Sequence, residues 1–389
     1  MITRFHIKNF KSLDDFTLPP KGKDLGAFTC LIGLNGAGKS TLLQAFDFVA
    51  HLYQGDIEAW LKSRDWKKTD IVNFTAPKRQ LVEFSISFRL SEKFNVTWEG
   101  AYNTSMLRCT NERVFCDDET LLKLSGNTLS ITDSKGNHRI RSEKTSFKFE
   151  GSILSMVKLD GEHPAFAPLI KLLQNIKSLE LLSPHLMRKR AKTAEDIGVG
   201  GERLSAFLDS LDLDAKQTFV AEVKKFYPDF RNLHVQTLQA GWKNLRVWED
   251  YTTHTGVDAT HLNDGLLRIL AIIAQGYSEH SFLLFDEIEN GMNPEVVEKV
   301  VDFLIALGES KRQVIVTTHS PLILNFIPDE VALESVLLLY KDQSGATQCR
   351  RFFDLPGTKE RLAALGPGEV LVDTNLTKLV EKLAKEERK

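Results

Sequence analysis

The chain has 389 residues, 42% of them hydrophobic and 26% charged, which is enough apolar content for a sizeable core and argues against wholesale disorder. Fifty basic residues stand against fifty-two acidic ones, a formal charge of −2, so any nucleic-acid contact has to come from a local patch rather than a global field. Cys30, Cys109, Cys116 and Cys349 show neither close pairing nor zinc-ligand spacing, and read as free thiols in a reducing compartment. No apolar signal segment follows Met1 to Phe5. The longest apolar stretch, Leu266 to Ala274, is short and carries Arg268, so no membrane span is expected and the expected compartment is the cytoplasm.

In chain order, Arg4 to Ile7 reads as a strand and Asn9 to Ser12 as a loop. A strand over Phe28 to Ile32 runs into a glycine-rich turn, and a helix from Lys39 to about Tyr53 carries Leu42, Leu43, Phe46 and Val49 at helical spacing. From 81 to 90, Val82, Phe84, Ile86, Phe88 and Leu90 alternate with Glu83, Ser85, Ser87 and Arg89, as on a half-buried strand. Phe94 to Trp98 and Leu129 to Thr132 are further strands, with a hairpin turn at Asp133 to Asn137. Roughly 78–160 therefore reads as an inserted antiparallel β-meander. Beyond it, Leu169, Leu172, Leu173 and Ile176 predict one helix face, Gly198 to Gly201 a flexible break, and Ala206 to Leu213 and Gln217 to Phe226 two more helices. An apolar helix at Leu266 to Ala274 precedes a buried strand at Phe282 to Phe285, a helix at Pro294 to Leu307 and a buried strand at Gln313 to Thr317. Short apolar strands alternating with helices indicate a parallel sheet covered on both faces.

The strongest motif is Gly33-Leu34-Asn35-Gly36-Ala37-Gly38-Lys39-Ser40-Thr41, which fits G-x-x-x-x-G-K-[ST] between an expected strand and an expected helix. Its glycines let the backbone wrap phosphates, successive N–H groups form an anion nest, and the helix N-terminus adds partial positive charge. Lys39 is then assigned to the β- and γ-phosphates of ATP and Ser40 to Mg²⁺. Asp286-Glu287 follows the apolar run Phe282 to Phe285. Two acids at the end of a buried strand are costly unless a metal and a polar substrate sit there, although a helix N-cap is the plain alternative. Asp286 is expected to hold Mg²⁺ and Glu287 to act as general base. A third apolar strand ends in Thr317-Thr318-His319-Ser320, which places His319 near a γ-phosphate or the attacking water if the three strands share an edge.

These motifs, with Leu262-Asn263-Asp264-Gly265-Leu266-Leu267-Arg268 between the first and second, resemble an ABC-type ATPase head of the RecF/SMC/OLD group. The likeness is nearest to compact AAA-family ATPases carrying an L-S-D-G-x-x-R signature. Ile288-Glu289-Asn290-Gly291-Met292-Asn293-Pro294 is similar to the stretch that follows their acid pair, and Ile7-Lys8-Asn9-Phe10-Lys11-Ser12 to their opening. The resemblance covers roughly 1–50 and 260–330. It implies an α/β P-loop head organised as a P-loop lobe (1–77), a β insertion (78–160), a helical lobe with the signature (161–275), Walker B and switch-histidine strands (276–345) and a C-terminal extension (346–389).

It further implies that ATP is sandwiched between the phosphate loop of one copy and Asn263, Asp264 and Gly265 of another, in a homodimer or higher homo-oligomer. Asn263 stands where the family usually has serine, and no Q-loop glutamine is identified. About seventy residues follow His319, fewer than the TOPRIM nuclease of OLD proteins needs. The expected role is therefore an ATP-driven switch acting on a separately encoded nuclease or toxin, commonly in anti-phage defence. A DNA-clamping repair or chromosome-maintenance ATPase is the alternative, and a small-molecule kinase a poorer third. Arg188-Lys189-Arg190-Ala191-Lys192 is a local basic cluster that either touches phosphates of nucleic acid or nucleotide or is a solvated loop. Trp242, Trp248 and Tyr251 either stack on bases or pack.

Overall fold

A computed structural model describes residues 1–20, 22–75, 80–91, 94–132, 138–141, 148–159, 162–179, 183–251, 255–310 and 312–386. Strand β1 (Ile2–Phe10) turns at Lys11 and Ser12 into β2 (Leu13–Leu18), and β3 (Phe28–Ile32) leads to the glycine-rich loop and the helix Lys39–Gln54. Six strands follow: β4 (Leu81–Ser91), β5 (Phe94–Asn103), β6 (Arg108–Cys116), β7 (Glu119–Ser125), β8 (Thr128–Thr132) and β9 (His138–Arg141). Next come the helix Phe166–Gln174, β10 (Ile176–Leu179), short helices, the helix Leu213–Phe226, β11 (Phe230–Thr237), β12 (Lys243–Glu249) and β13 (Val257–Asp258). The helix Asp264–Gln275, β14 (Phe282–Phe285), the helix Pro294–Glu309, β15 (Gln313–Thr317), β16 (Val336–Lys341) and β17 (Thr347–Arg351) complete the sheets.

The central sheet runs β10-β14-β15-β3-β16-β17, parallel except for the β16–β17 pair. Its inner strands β14, β15, β3 and β16 are mainly apolar because both faces are covered, whereas the edge strands β10 and β17 carry polar residues. Leu31, Phe282, Leu284, Ile315 and Leu337 point into the core that holds the helix Lys39–Gln54. Cys30, Ile32, Leu283, Phe285, Val314 and Val316 point into the core formed with Asp264–Gln275 and Pro294–Glu309. The register sets Phe285 beside Val316 and Thr317 beside Leu31, so β14, β15 and β3 end at one edge. In α/β sheets that edge is where ligands sit.

The second sheet is antiparallel, in the order β2-β1-β4-β5-β6-β7-β8-β9. Val82, Phe84, Ile86 and Phe88 are buried on its inner face, as the alternation predicts. Phe46 of the phosphate-loop helix locks the two sheets, stacking on Phe5 at 4.1 Å and meeting Phe282 at 5.0 Å. The buried Gln313 side chain reinforces that joint. It accepts from Ile2 N at 2.6 Å and donates to Ile2 O at 2.7 Å and Gly26 O at 3.1 Å.

Several expectations change. The strands of 78–160 do run as an antiparallel meander, β4 to β9 in order, but β4 also pairs with β1, so the meander continues the sheet that β1 and β2 begin. Asn9 and Phe10 belong to β1, and β2, β6 and β7 escape the sequence pattern. Ile176 is not part of a helix face: the helix stops at Gln174 and Ile176 starts β10 beside β14. The region expected to be a helical lobe contains the three-stranded sheet β11-β12-β13, whose first strand exposes Arg231, Asn232 and Gln236 and so lacks an apolar period. The Gly198–Gly201 stretch is no loose break, because Gly198, Gly200 and Gly201 are buried and Gly200 O accepts from Ser183 N at 3.0 Å. The hairpin turn expected at Asp133 to Asn137 lies outside the described residues. All four cysteines are free, and no helix among the described residues is long and apolar enough to cross a membrane.

One buried acid tests the antiparallel sheet. Glu112 accepts from Trp98 Nε1 at 2.8 Å, from Ile153 N at 2.9 Å and from Ser152 Oγ. Burial raises its carboxyl to about 7 against the pull of these hydrogen bonds. An acid whose folded pKa exceeds its unfolded value loses stability as pH rises, starting from the ordinary carboxylate value and ending above the folded one. In denaturant titrations, Glu112→Gln is expected to be less stable than the parent at about pH 5, with the gap closing by roughly 2–3 kcal/mol by about pH 8. A pH-independent gap would refute the assignment.

Candidate functional site

Ile32 ends β3 and the chain turns at once into the glycine-rich loop. Gly33 and Gly38 have φ of 154° and 107°. A Cβ on Gly33 would lie 2.3 Å from Leu339 O, and one on Gly38 2.3 Å from Thr347 Oγ1, so no side chain fits at either position. The loop is braced from behind. Thr347 Oγ1 donates to Ala37 O at 3.0 Å and lies 2.9 Å from Ser12 Oγ, and Lys341 Nζ donates to Thr347 Oγ1 at 2.9 Å. Thr347 opens β17 within the expected C-terminal extension, so that extension is an edge of the central sheet and a wall of the loop. Ser40 and Asn35 are exposed at the mouth, and Thr41 is half-buried in the first helical turn.

Lys39 is 5% exposed, and its Nζ donates to Gly33 O at 2.9 Å and Leu34 O at 3.4 Å. Burial pulls its ammonium below the ordinary lysine value, and the carboxylates of Asp286, Glu287 and Glu289 pull it partly back. Lys39 Nζ also meets His319 Nδ1 at 3.3 Å, while His319 Nε2 lies 3.4 Å from Glu287 Oε1. An ammonium has only protons to give, so Nδ1 is the acceptor and the Nε2 proton faces Glu287. The strand ends thus carry a continuous relay, Lys39–His319–Glu287, completed by Asn290 Nδ2 donating to Glu287 Oε2 at 2.6 Å.

Two residues that motif reading left without a role hold this relay. The hydroxyl of buried Thr317 donates to Asp286 Oδ1 and accepts from Glu287 N at 2.9 Å, fixing both acids from the neighbouring strand. Glu287 is held at φ 47°, an uncommon conformation for a non-glycine residue. Glu289 Oε1 accepts from Thr318 Oγ1 at 2.9 Å and from His319 N at 3.0 Å, so the acid loop also fixes the histidine. Thr317 and Glu289 sit inside quoted motifs but do their work through contacts between strands. Ser12 closes the quoted opening motif, whereas Thr347 leaves no local sequence signal at all.

The Asn263-Asp264-Gly265 segment opens the helix Asp264–Gln275. Asn263 is its N-cap, accepting from Leu266 N at 2.7 Å. A Cβ on Gly265 would lie 2.8 Å from Gly291 O, so the signature helix abuts the loop that follows Glu287. No hydrogen bond or ion pair among the described residues joins Asn263, Asp264 or Gly265 to the phosphate loop of the same chain. The basic cluster is largely engaged within the chain. Arg188 bonds Leu262 O and Asp264, Arg190 Nε donates to Asn244 Oδ1 at 3.2 Å, and Lys192 lies 5.2 Å from the Trp242 ring.

The family profile described as "AAA domain, putative AbiEii toxin, Type IV TA system" matches residues 115–325, more than half of the chain. The chain belongs to this AAA-domain family. A second profile, "AAA ATPase domain", matches residues 1–150. An OLD nuclease from Thermus scotoductus is 35% identical over 101 residues, which are 25% of this chain and 17% of that relative, so only a small part of its length is spanned. Among solved structures, an SMC head bound to the C-terminal winged-helix domain of ScpA has a TM-score of 0.53 at 16% identity, covering 90% of this chain and 96% of that one. An SMC head with an extended coiled coil, bound to the C-terminal domain of ScpA derived from Pyrococcus furiosus, has a TM-score of 0.54 at 14% identity, covering 93% and 99%. At these identities the likeness establishes the fold: an α/β P-loop ATPase head with an antiparallel sheet.

The Thr317 contacts carry a direct expectation for this AAA-family head. Thr317→Val keeps the shape of the buried site but removes the hydroxyl that holds Asp286 and Glu287. The rate of ATP hydrolysis is expected to fall about 10- to 100-fold with the melting temperature little changed. Steady-state kinetics and calorimetry check both, and an unaltered rate would remove Thr317 from the site.

Proposed function

We propose that this chain binds ATP with Mg²⁺, hydrolyses it, and uses the cycle to pair with and release a second copy of itself. The observation that carries the reading is the relay at one strand edge, in which Lys39, His319 and Glu287 from three separate motifs are in contact. Lys39 and the N–H groups from Gly36 to Ser40 cradle the phosphates, with Asn35 and Thr41 flanking them.

The donor set fits a hard cation, since Ser40 offers an exposed hydroxyl and Asp286 a half-buried carboxylate already oriented by Thr317. These two would hold Mg²⁺, which supplies charge neutralisation at the phosphate oxygens when bound. Glu287 takes a proton from water as the water oxygen bonds the γ-phosphorus. The bond from that phosphorus to the β,γ-bridging oxygen breaks, leaving ADP and inorganic phosphate. His319, with its Nε2 proton on the acid side, orients Glu287 and the water. Asn263, Asp264 and Gly265 act on ATP carried by the second copy. The helix N-terminus they form suits an anion, and among the described residues they make no hydrogen bond or ion pair to their own phosphate loop.

The biological role follows by analogy with the family description, which names a toxin and a toxin–antitoxin system, and with the OLD nuclease relative. Both are compatible with a defence setting, in which this reading places the chain as a switch acting on a separately encoded effector. Direct clamping of duplex DNA has less to rest on, because Arg188, Arg190 and Lys192 are engaged inside the chain.

Light scattering tests the pairing. Glu287→Gln with Mg-ATP is expected to gain mass towards a dimer, Lys39→Ala to gain none, and the Glu287→Gln hydrolysis rate to fall about 10²- to 10⁴-fold. A mass that stays at one chain with and without nucleotide would sink the two-copy mechanism.

A further inference from the structure

Asp264 poses an electrostatic problem that this reading must solve. The N-terminus of the helix Asp264–Gln275 attracts an anion, yet its first residue is an acid, 58% exposed, and the preceding carbonyl of Leu262 adds partial negative charge. A phosphate approaching Gly265 and Leu266 would meet both. Arg188 answers this from another part of the chain. Its Nη2 donates to Leu262 O at 2.7 Å and to Asp264 Oδ1 at 2.6 Å.

The arginine is well anchored for the task. It follows the short helix Pro184–Met187, in which Met187 is buried, and Arg188 N donates to Pro184 O at 3.1 Å. The buried Gly198–Gly201 stretch backs that helix, since a Cβ on Gly201 would lie 2.5 Å from Met187 Cγ. On the other side Asn263 Nδ2 lies 3.5 Å from Tyr227 OH while Asn263 Oδ1 caps the helix. Arg268, one turn further along, adds a second positive charge beside Asp264. The segment from Leu262 to Gly265 is therefore gripped on two sides and its acid is neutralised.

We propose that Arg188 is the positioning residue of the signature segment, neutralising Asp264 and holding the Leu262 carbonyl so that the helix N-terminus can receive the terminal phosphate of an ATP carried by a second copy of the chain. The inference rests on the two-copy reading and names the residue that makes the trans contact electrostatically feasible. It also gives Arg188 of the basic cluster a role inside the catalytic assembly rather than on nucleic acid.

The experiment uses the full chain with Glu287→Gln as parent, Mg-ATP, and light scattering over a range of protein concentrations. Arg188→Ala is expected to raise the concentration needed for half-pairing about tenfold or more, the usual cost of losing a charged hydrogen bond. Arg188→Gln, which keeps a donor without the charge, is expected to behave similarly and stands in if the alanine variant folds poorly. Adding Asp264→Asn to either is expected to recover most of the pairing, since the charge to be neutralised is gone. Lys189→Ala, exposed beside the site, serves as control. Binding of a fluorescent ATP analogue to the single chain is expected to stay within about twofold, because the phosphate loop is intact.

Pairing of Arg188→Ala at the parent concentration, absence of rescue by Asp264→Asn, or loss of ATP binding in the single chain would each overturn the role. A parent that never gains mass is a separate result: it removes the two-copy reading and this role with it.

Discussion

A central sheet whose inner strands have no wet face governs the rest of this molecule. Because β14, β15 and β3 send alternate side chains into two cores, polar groups have little room along their length. Charge collects where the strands stop, and parallel register makes three of them stop together. Lys39, Asp286, Glu287 and His319 converge as a consequence of burial, with each strand delivering one part of the site at its C-terminal end.

Burial also explains how the acids are kept in place. Two adjacent carboxylates beside an apolar sheet are costly unless hydrogen-bonded, and the neighbouring strand supplies what they need. Thr317 bonds Asp286 by its hydroxyl and receives Glu287 N, while Glu289 returns the favour to Thr318 and His319. The loops after β14 and β15 thus fix one another. Movement of the acid loop must be felt by the histidine, and through Gly291 by the signature helix that abuts it.

The periphery serves the same edge. The antiparallel sheet anchors the helix Lys39–Gln54 through Phe5 and Phe46, and Gln313 ties β1 to the start of β15. The hairpin β16–β17 looks peripheral by position, but Thr347 fills the space that the absent side chain of Gly38 leaves open. Arg188, remote in sequence from every motif, lies against the signature segment.

The sequence by itself determined the elements whose signals are local. The glycine-rich loop, the helix after it, the strands Phe28–Ile32, Phe282–Phe285 and Gln313–Thr317 and the acid pair could all be read directly. A strand buried on both faces has to be apolar, and a loop wrapped around phosphate has to be glycine-rich, so both leave their mark within a few residues. What the tertiary structure alone decided are pairings between distant segments. It joined β4 to β1, turned Ile176 from helix to strand beside β14, made an edge strand of Thr347–Arg351, and built a small sheet from Phe230 to Asp258. Half-exposed strands carry a diluted apolar period, and the partner that satisfies an edge lies far along the chain. The same reason hid Thr317, Glu289, Thr347 and Arg188. A threonine, a glutamate or an arginine looks the same in a solvated loop as in a site, and only the fold shows which atoms it faces.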